Sequence, residues 1–90
     1  MRAGSGIAVV DDLDVNEVKD GLIVYDPASD RVHYLNATAA VVFTLCDGSR
    51  DAAGIVESVR TVFGPEGPGA DEVLACIARF EDEGLLRSDR

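Results

Sequence analysis

The stretch Gly21-Leu22-Ile23-Val24-Tyr25-Asp26-Pro27-Ala28-Ser29-Asp30-Arg31-Val32-His33-Tyr34-Leu35-Asn36 decides the fold. Leu22 to Tyr25 is rich in β-branched and aromatic residues that suit a pleated surface. Asp26 to Asp30 is turn chemistry, with Pro27 where its fixed φ favours the first central position of a turn. Arg31 to Leu35 resumes the apolar pattern, so the two runs read as a β-hairpin. A loop of Asp26 to Asp30 pairs Tyr25 with Arg31, Val24 with Val32, Ile23 with His33 and Leu22 with Tyr34. One face is then wholly apolar, while Ile23, Tyr25, Arg31, His33 and Leu35 form the other. A slip of one residue would scramble this separation, which supports the register without proving it.

Working outward, Val15 to Lys19 alternates poorly and makes a short, weak strand ahead of the hairpin. Residues 1–14 contain Gly4, Ser5, Gly6 and three aspartates without sustained periodicity, and are expected to be a flexible arm before a folded domain of residues 15–90. Downstream, Asn36 is a good N-cap for a helix from Ala37 to Cys46, stopped by Asp47-Gly48. Asp51 caps a second helix to about Phe63, with Ile55, Val59, Val62 and Phe63 on one stripe. The Gly/Pro run 64–69 is a connector. A third helix spans Ala70 to Glu83, with Asp71 and Glu72 near the positive end of its dipole and Val73, Ile77 and Phe80 on its core face. Gly84 supplies its left-handed cap, and Leu85 can fold back on the last turn. The expected fold class is therefore α+β and winged-helix-like: a small three-stranded antiparallel sheet followed by three helices.

Ninety residues are enough for one core, and 47% hydrophobic with 28% charged residues is a globular composition. The early apolar run Ile7 to Val10 is too short for a signal-peptide core and leads into Asp11 and Asp12, so the expected location is the cytoplasm. The net charge of −9 repels nucleic acid and anionic membranes and favours a partner with a basic segment. The third helix sets Arg79 against Asp71, Glu72, Glu81, Asp82 and Glu83, which counts against a winged-helix DNA reader, the main alternative.

Catalysis is not expected either. His33 has no thiol or carboxylate at motif spacing, and consecutive Glu81, Asp82 and Glu83 point in different directions on a helix. Cys46 and Cys76 lack metal-ligand spacing and read as small apolar-site side chains, although spacing alone does not decide between two thiols and a disulfide. No cofactor or metal is implied. What remains is an edge: Arg31 to Leu35 has a strand on one side only, and its free side could accept an extended peptide by strand addition or pair with a second copy as a homodimeric scaffold. A short edge merely protected by Arg31 fits the pattern equally well.

The ordered series Tyr34-Leu35-Asn36-Ala37-Thr38-Ala39, Leu45-Cys46-Asp47-Gly48-Ser49-Arg50, Ile55, Asp71-Glu72-Val73 and Glu83-Gly84-Leu85-Leu86 resembles the PqqD family over roughly residues 15 to 87. Asp51 stands where that family commonly has Thr, and Phe43 where it often has Trp or Leu; both keep the local role of cap and core. The resemblance implies a non-catalytic module whose third strand and third helix bind the leader of a precursor peptide. A separate modifying enzyme, often a radical S-adenosylmethionine (SAM) protein, then acts on the rest of that peptide. Carried over by position, the peptide-binding edge would be Arg31, Val32, His33, Tyr34 and Leu35, and the facing helix would offer Leu74, Ile77, Ala78 and Glu81. Ile77 also has a core reading, whereas Leu74, Ala78 and Glu81 lie at spacings of four and three and suit a groove wall.

Overall fold

A computed structural model describes residues 6–87. Strands β1 (Asp14–Val18), β2 (Gly21–Asp26) and β3 (Arg31–Asn36) form an antiparallel sheet in the order β1-β2-β3. Helices α1 (Ala37–Leu45), α2 (Ala52–Phe63) and α3 (Ala70–Asp82) follow, so the fold class is the one expected.

The β2–β3 register differs from the expected one by a residue. Asp26, not Tyr25, pairs with Arg31; Val24 then pairs with His33 and Leu22 with Leu35, while Tyr25 meets Val32 and Ile23 meets Tyr34. Asp26 belongs to the ladder and organises the turn from there. Its carboxylate accepts the Ala28 N–H at 3.1 Å and the Ser29 hydroxyl at 3.1 Å, and Asp30 adopts a left-handed φ of 58°. Consequently Val24, His33 and Leu35 are buried, and Val32 and Tyr34 stand 65% and 52% exposed on the far face. The all-apolar face expected from Leu22, Val24, Val32 and Tyr34 does not form. An imidazole takes an inner position because a carboxylate on the last turn of the helical layer reaches it.

The caps explain where the helices begin. Asn36 Oδ1 accepts the Ala39 N–H at 2.9 Å, and Asp51 Oδ1 accepts the Gly54 N–H at 2.9 Å, each satisfying a donor that the first helical turn leaves free. α1 ends at Leu45 with Cys46 as its cap, and α3 ends at Asp82 with Glu83 as its cap. Beyond α3, Gly84 has φ 76° and the Leu85 N–H returns to the Phe80 carbonyl at 2.9 Å, which buries Leu85 completely. The core joins Val24 and Leu35 from the sheet to Val42, Phe43, Ile55, Val59, Val73, Ile77, Phe80 and Leu85. Phe43 and Phe80 meet edge to face at 5.7 Å. Val62, expected on the α2 core stripe, is instead 60% exposed.

Residues 1–5 of the expected N-terminal arm lie outside the described residues. Residues 6–10 are hydrogen-bonded: Ile7 and Val9 donate to the carbonyls of Arg50 and Cys46 at 2.9 Å, and Val10 donates to Leu85 at 2.8 Å. Arg87 returns a bond to Ala8 at 2.8 Å, so this segment runs between the α1–α2 loop and the chain's C-terminal segment.

Candidate functional site

Among the described residues β3 has a paired neighbour on one side only. Which of its backbone groups face the free side can be read from two contacts. Arg79 Nη2 donates to the Tyr34 carbonyl at 3.5 Å, so that carbonyl points away from β2. The Leu35 carbonyl points the other way, since a Cβ added to Gly21 of β2 would collide with it. Successive residues of an antiparallel strand alternate in this sense, so Arg31, His33 and Leu35 serve the β2 ladder while Val32 and Tyr34 offer N–H and C=O to the open side.

Helix α3 stands across from this edge and meets it through side chains, not through close approach of the two backbones. It contacts α1 and α2, yet none of its Cα atoms comes within 8 Å of one in β3. Three side chains span the interval. His33 Nδ1 lies 3.2 Å from Glu83 Oε1, and Glu83 Oε2 lies 3.4 Å from Arg79 Nε. Arg79 in turn reaches the Tyr34 carbonyl. The His33 Nδ1–Glu83 Oε1 approach is not itself a hydrogen bond, and His33 Nε2 and Glu83 Oε1 are both buried without a hydrogen-bond partner among the described residues. These groups are under-satisfied at the inner margin of the edge, and such groups favour a further polar partner.

Of the expected site residues, Arg31, Val32, His33, Tyr34 and Leu35 lie along the free edge, with His33 and Leu35 turned into the core and the other three exposed. Ile77 is buried with Val73 and Phe80. Leu74, Ala78 and Glu81 are exposed, but they are not brought to β3: at about 100° per residue they sit roughly 100–160° around the helix from Arg79, the residue that does touch the strand. The strip of α3 turned toward the edge therefore carries Arg79 and Glu83, neither of which sequence reasoning selected. Their i, i+4 spacing was a visible signal for a mutual ion pair. Nothing in the sequence links that pair to Tyr34.

The remaining polar groups make no reactive constellation. Both cysteines are free thiols, and burial, with smaller contributions from Asp47 and Cys76, pushes the Cys46 thiol up to about 11. No group of three or more His, Cys, Asp or Glu side chains that could hold a metal occurs among the described residues. No helix among them is long and apolar enough to cross a membrane. A cavity of about 400 Å³ lies between the β1–β2 hairpin and α1, lined by Leu22, Val41, Leu45 and the exposed Val62 among others, with no residue of β3 in its wall.

Comparison with known proteins gives two matches. The family model described as coenzyme PQQ synthesis protein D (PqqD) matches residues 21–86. The solved structure of TbiB1 in complex with the TbiA(beta) leader peptide superposes with a TM-score of 0.71 at 15% identity, covering 90% of this chain and 95% of that one. At that identity the likeness is one of fold. No curated protein matches the sequence.

Proposed function

Because the chain belongs to the PqqD family, we propose that it is a non-catalytic recognition module that binds the leader of a precursor peptide as an added fourth strand on β3. The binding domain of this proposal includes the sheet from Asp14 and the three helices, with residues 6–10 hydrogen-bonded against it. The observation that carries this reading is the outward set of backbone groups at Val32 and Tyr34, on the side of β3 that no strand pairs among the described residues and that Arg79 of α3 reaches. A strand laid there pairs through its backbone, which suits a module that must hold a peptide without acting on it. TbiB1, which has the same fold, is known with a leader peptide bound. The chemistry falls to a separate cytoplasmic modifying enzyme, of the radical SAM type, that receives the peptide from this module.

The winged-helix DNA reading is disfavoured by charge. The exposed face of α3 presents Asp71, Glu72, Glu81 and Asp82 with Arg79 as its one cation, and such a helix is repelled by phosphates. Self-pairing through β3 is the competing use of the same edge, and it would make the apparent mass rise with concentration in the absence of peptide.

The test is calorimetric titration of a precursor peptide from the protein's own genome, with its leader and core halves supplied separately. The leader half is expected to bind in saturable fashion, the core half not to bind, and neither to change mass on incubation with this protein alone. Absence of binding by the leader, or conversion of either half without a partner enzyme, overturns the proposal.

A further inference from the structure

Strand addition, the reading on which this inference rests, places an incoming chain's side chains alternately on the two faces of the sheet. Peptide residues opposite Val32 and Tyr34 exchange backbone hydrogen bonds with them and share their face. No helix among the described residues covers that face. Val32 is 65% and Tyr34 52% exposed, and their partners in β2, Tyr25 and Ile23, stand beside them, so an apolar and aromatic patch runs unbroken to the free edge. Apolar side chains two residues apart on the added strand extend this patch by one column.

The inward positions of the added strand look into the interval before α3, and there the one cation of that helix waits. Arg79 holds two acceptors, the Tyr34 carbonyl at 3.5 Å and Glu83 Oε2 at 3.4 Å. A peptide N–H aimed along the strand ladder competes with the guanidinium for the Tyr34 carbonyl, whose contact with Nη2 is long at 3.5 Å. Glu83 engages Nε, whereas the Tyr34 carbonyl is met by Nη2, so the nitrogen left short is not the one Glu83 holds. A carboxylate on the inward position adjoining the residue opposite Tyr34 supplies the missing acceptor, and a lysine there meets like charge. Glu72 lies roughly two turns toward the N-terminus of α3, so the preference for acid is confined to the position that reaches Arg79.

We infer that this edge selects an extended segment with two apolar residues on alternate positions and an aspartate or glutamate adjoining one of them, the acid being read by Arg79 as it is displaced from the Tyr34 carbonyl. An acidic protein of net charge −9 would otherwise disfavour acidic peptides throughout, so this preference is opposite to the one its overall charge sets.

The experiment is selection of short displayed peptides, randomised over their central positions, on the immobilised full-length protein. Hits are remeasured by fluorescence anisotropy and by amide shifts. Selected peptides should carry the apolar pair and prefer the acid over lysine at the adjoining position by about tenfold. Arg79→Glu should turn that preference toward lysine and arginine, and Arg79→Gln should flatten it; the side chain is exposed, and unchanged melting curves confirm that both variants fold. Peptides that move the Val32 and Tyr34 amides yet show no acid preference, or one unaltered by Arg79→Glu, overturn this inference and leave strand addition standing. Selected peptides that leave those amides unmoved, or a selection that enriches nothing, overturn both.

Discussion

Proline placed at adjacent positions of β3 should have opposite effects, and the structure gives the sign and scale of each. His33 belongs to the set that pairs with Val24 of β2, so His33→Pro removes a ladder donor and strands a buried acceptor. A net hydrogen bond is about 0.5–1.5 kcal/mol and an orphaned buried acceptor about 1–3 kcal/mol, so about 1.5–4.5 kcal/mol is the expected loss. At roughly 4–8 °C per kcal/mol for a domain of this size, the melting temperature falls by roughly 6–36 °C. Tyr34→Pro sacrifices only an outward donor. Its stability cost is the cross-strand packing of Tyr34 on Ile23, about 0.2–1 kcal/mol, and proline's demand for an extended preceding residue is already met at His33. Peptide affinity should behave in reverse, with Tyr34→Pro weakening a bound leader by about tenfold or more. His33→Ala separates the loss of the imidazole from the loss of the donor. Thermal melts and leader titrations on the three variants decide the matter. A Tyr34→Pro protein as unstable as His33→Pro, or a His33→Pro protein that melts like the parent, refutes the assignment of inward and outward sets.

Gly21→Ala should lower the urea midpoint by the equivalent of about 1–3 kcal/mol, since the new Cβ falls on the Leu35 backbone carbonyl, which cannot yield without opening the β2–β3 ladder. Cys46, with its thiol at about 11, should resist alkylation at pH 8, where only about one thiol in a thousand is ionised, and mass spectrometry should find Cys76 labelled first. The Tyr25 hydroxyl donates to Asp30 at 2.7 Å, and that bond chiefly holds its pKa above 10.0; ultraviolet titration should show it returning toward the ordinary value in Asp30→Ala. Because the shift is upward, any stability it contributes is present below pH 10.0 and is lost as the pH rises through the folded value, so the turn should loosen only in strong alkali.

The hairpin, the two side-chain caps and the α3 core stripe were legible because each rests on local chemistry: Asn36 and Asp51 bond donors three residues away, and Val73, Ile77 and Phe80 recur at helical spacing. The register was not. Counting apolar residues favours Val32 and Tyr34 inside, and only the distant Glu83 makes it acceptable for His33 to take that side. Docking of Ile7 and Val9 was equally hidden, since their partners, the Arg50 and Cys46 carbonyls, are backbone groups that leave no trace in side-chain patterns. The edge strand itself was found from its place in the strand order. The helix strip that touches it was not, because family position and spacing pointed to Leu74, Ala78 and Glu81, whereas the α3 residue that reaches β3 is Arg79.

The central claim is that a peptide joins the sheet at β3 through the backbone of Val32 and Tyr34. Residue-resolved hydrogen–deuterium exchange, with and without the precursor peptide, addresses it directly. The Val32 and Tyr34 amides should exchange freely in the protein alone and become protected when the peptide is bound, while His33 and Leu35, already in the β2 ladder, are protected in both states. Peptide binding that leaves Val32 and Tyr34 exchanging as before contradicts the account.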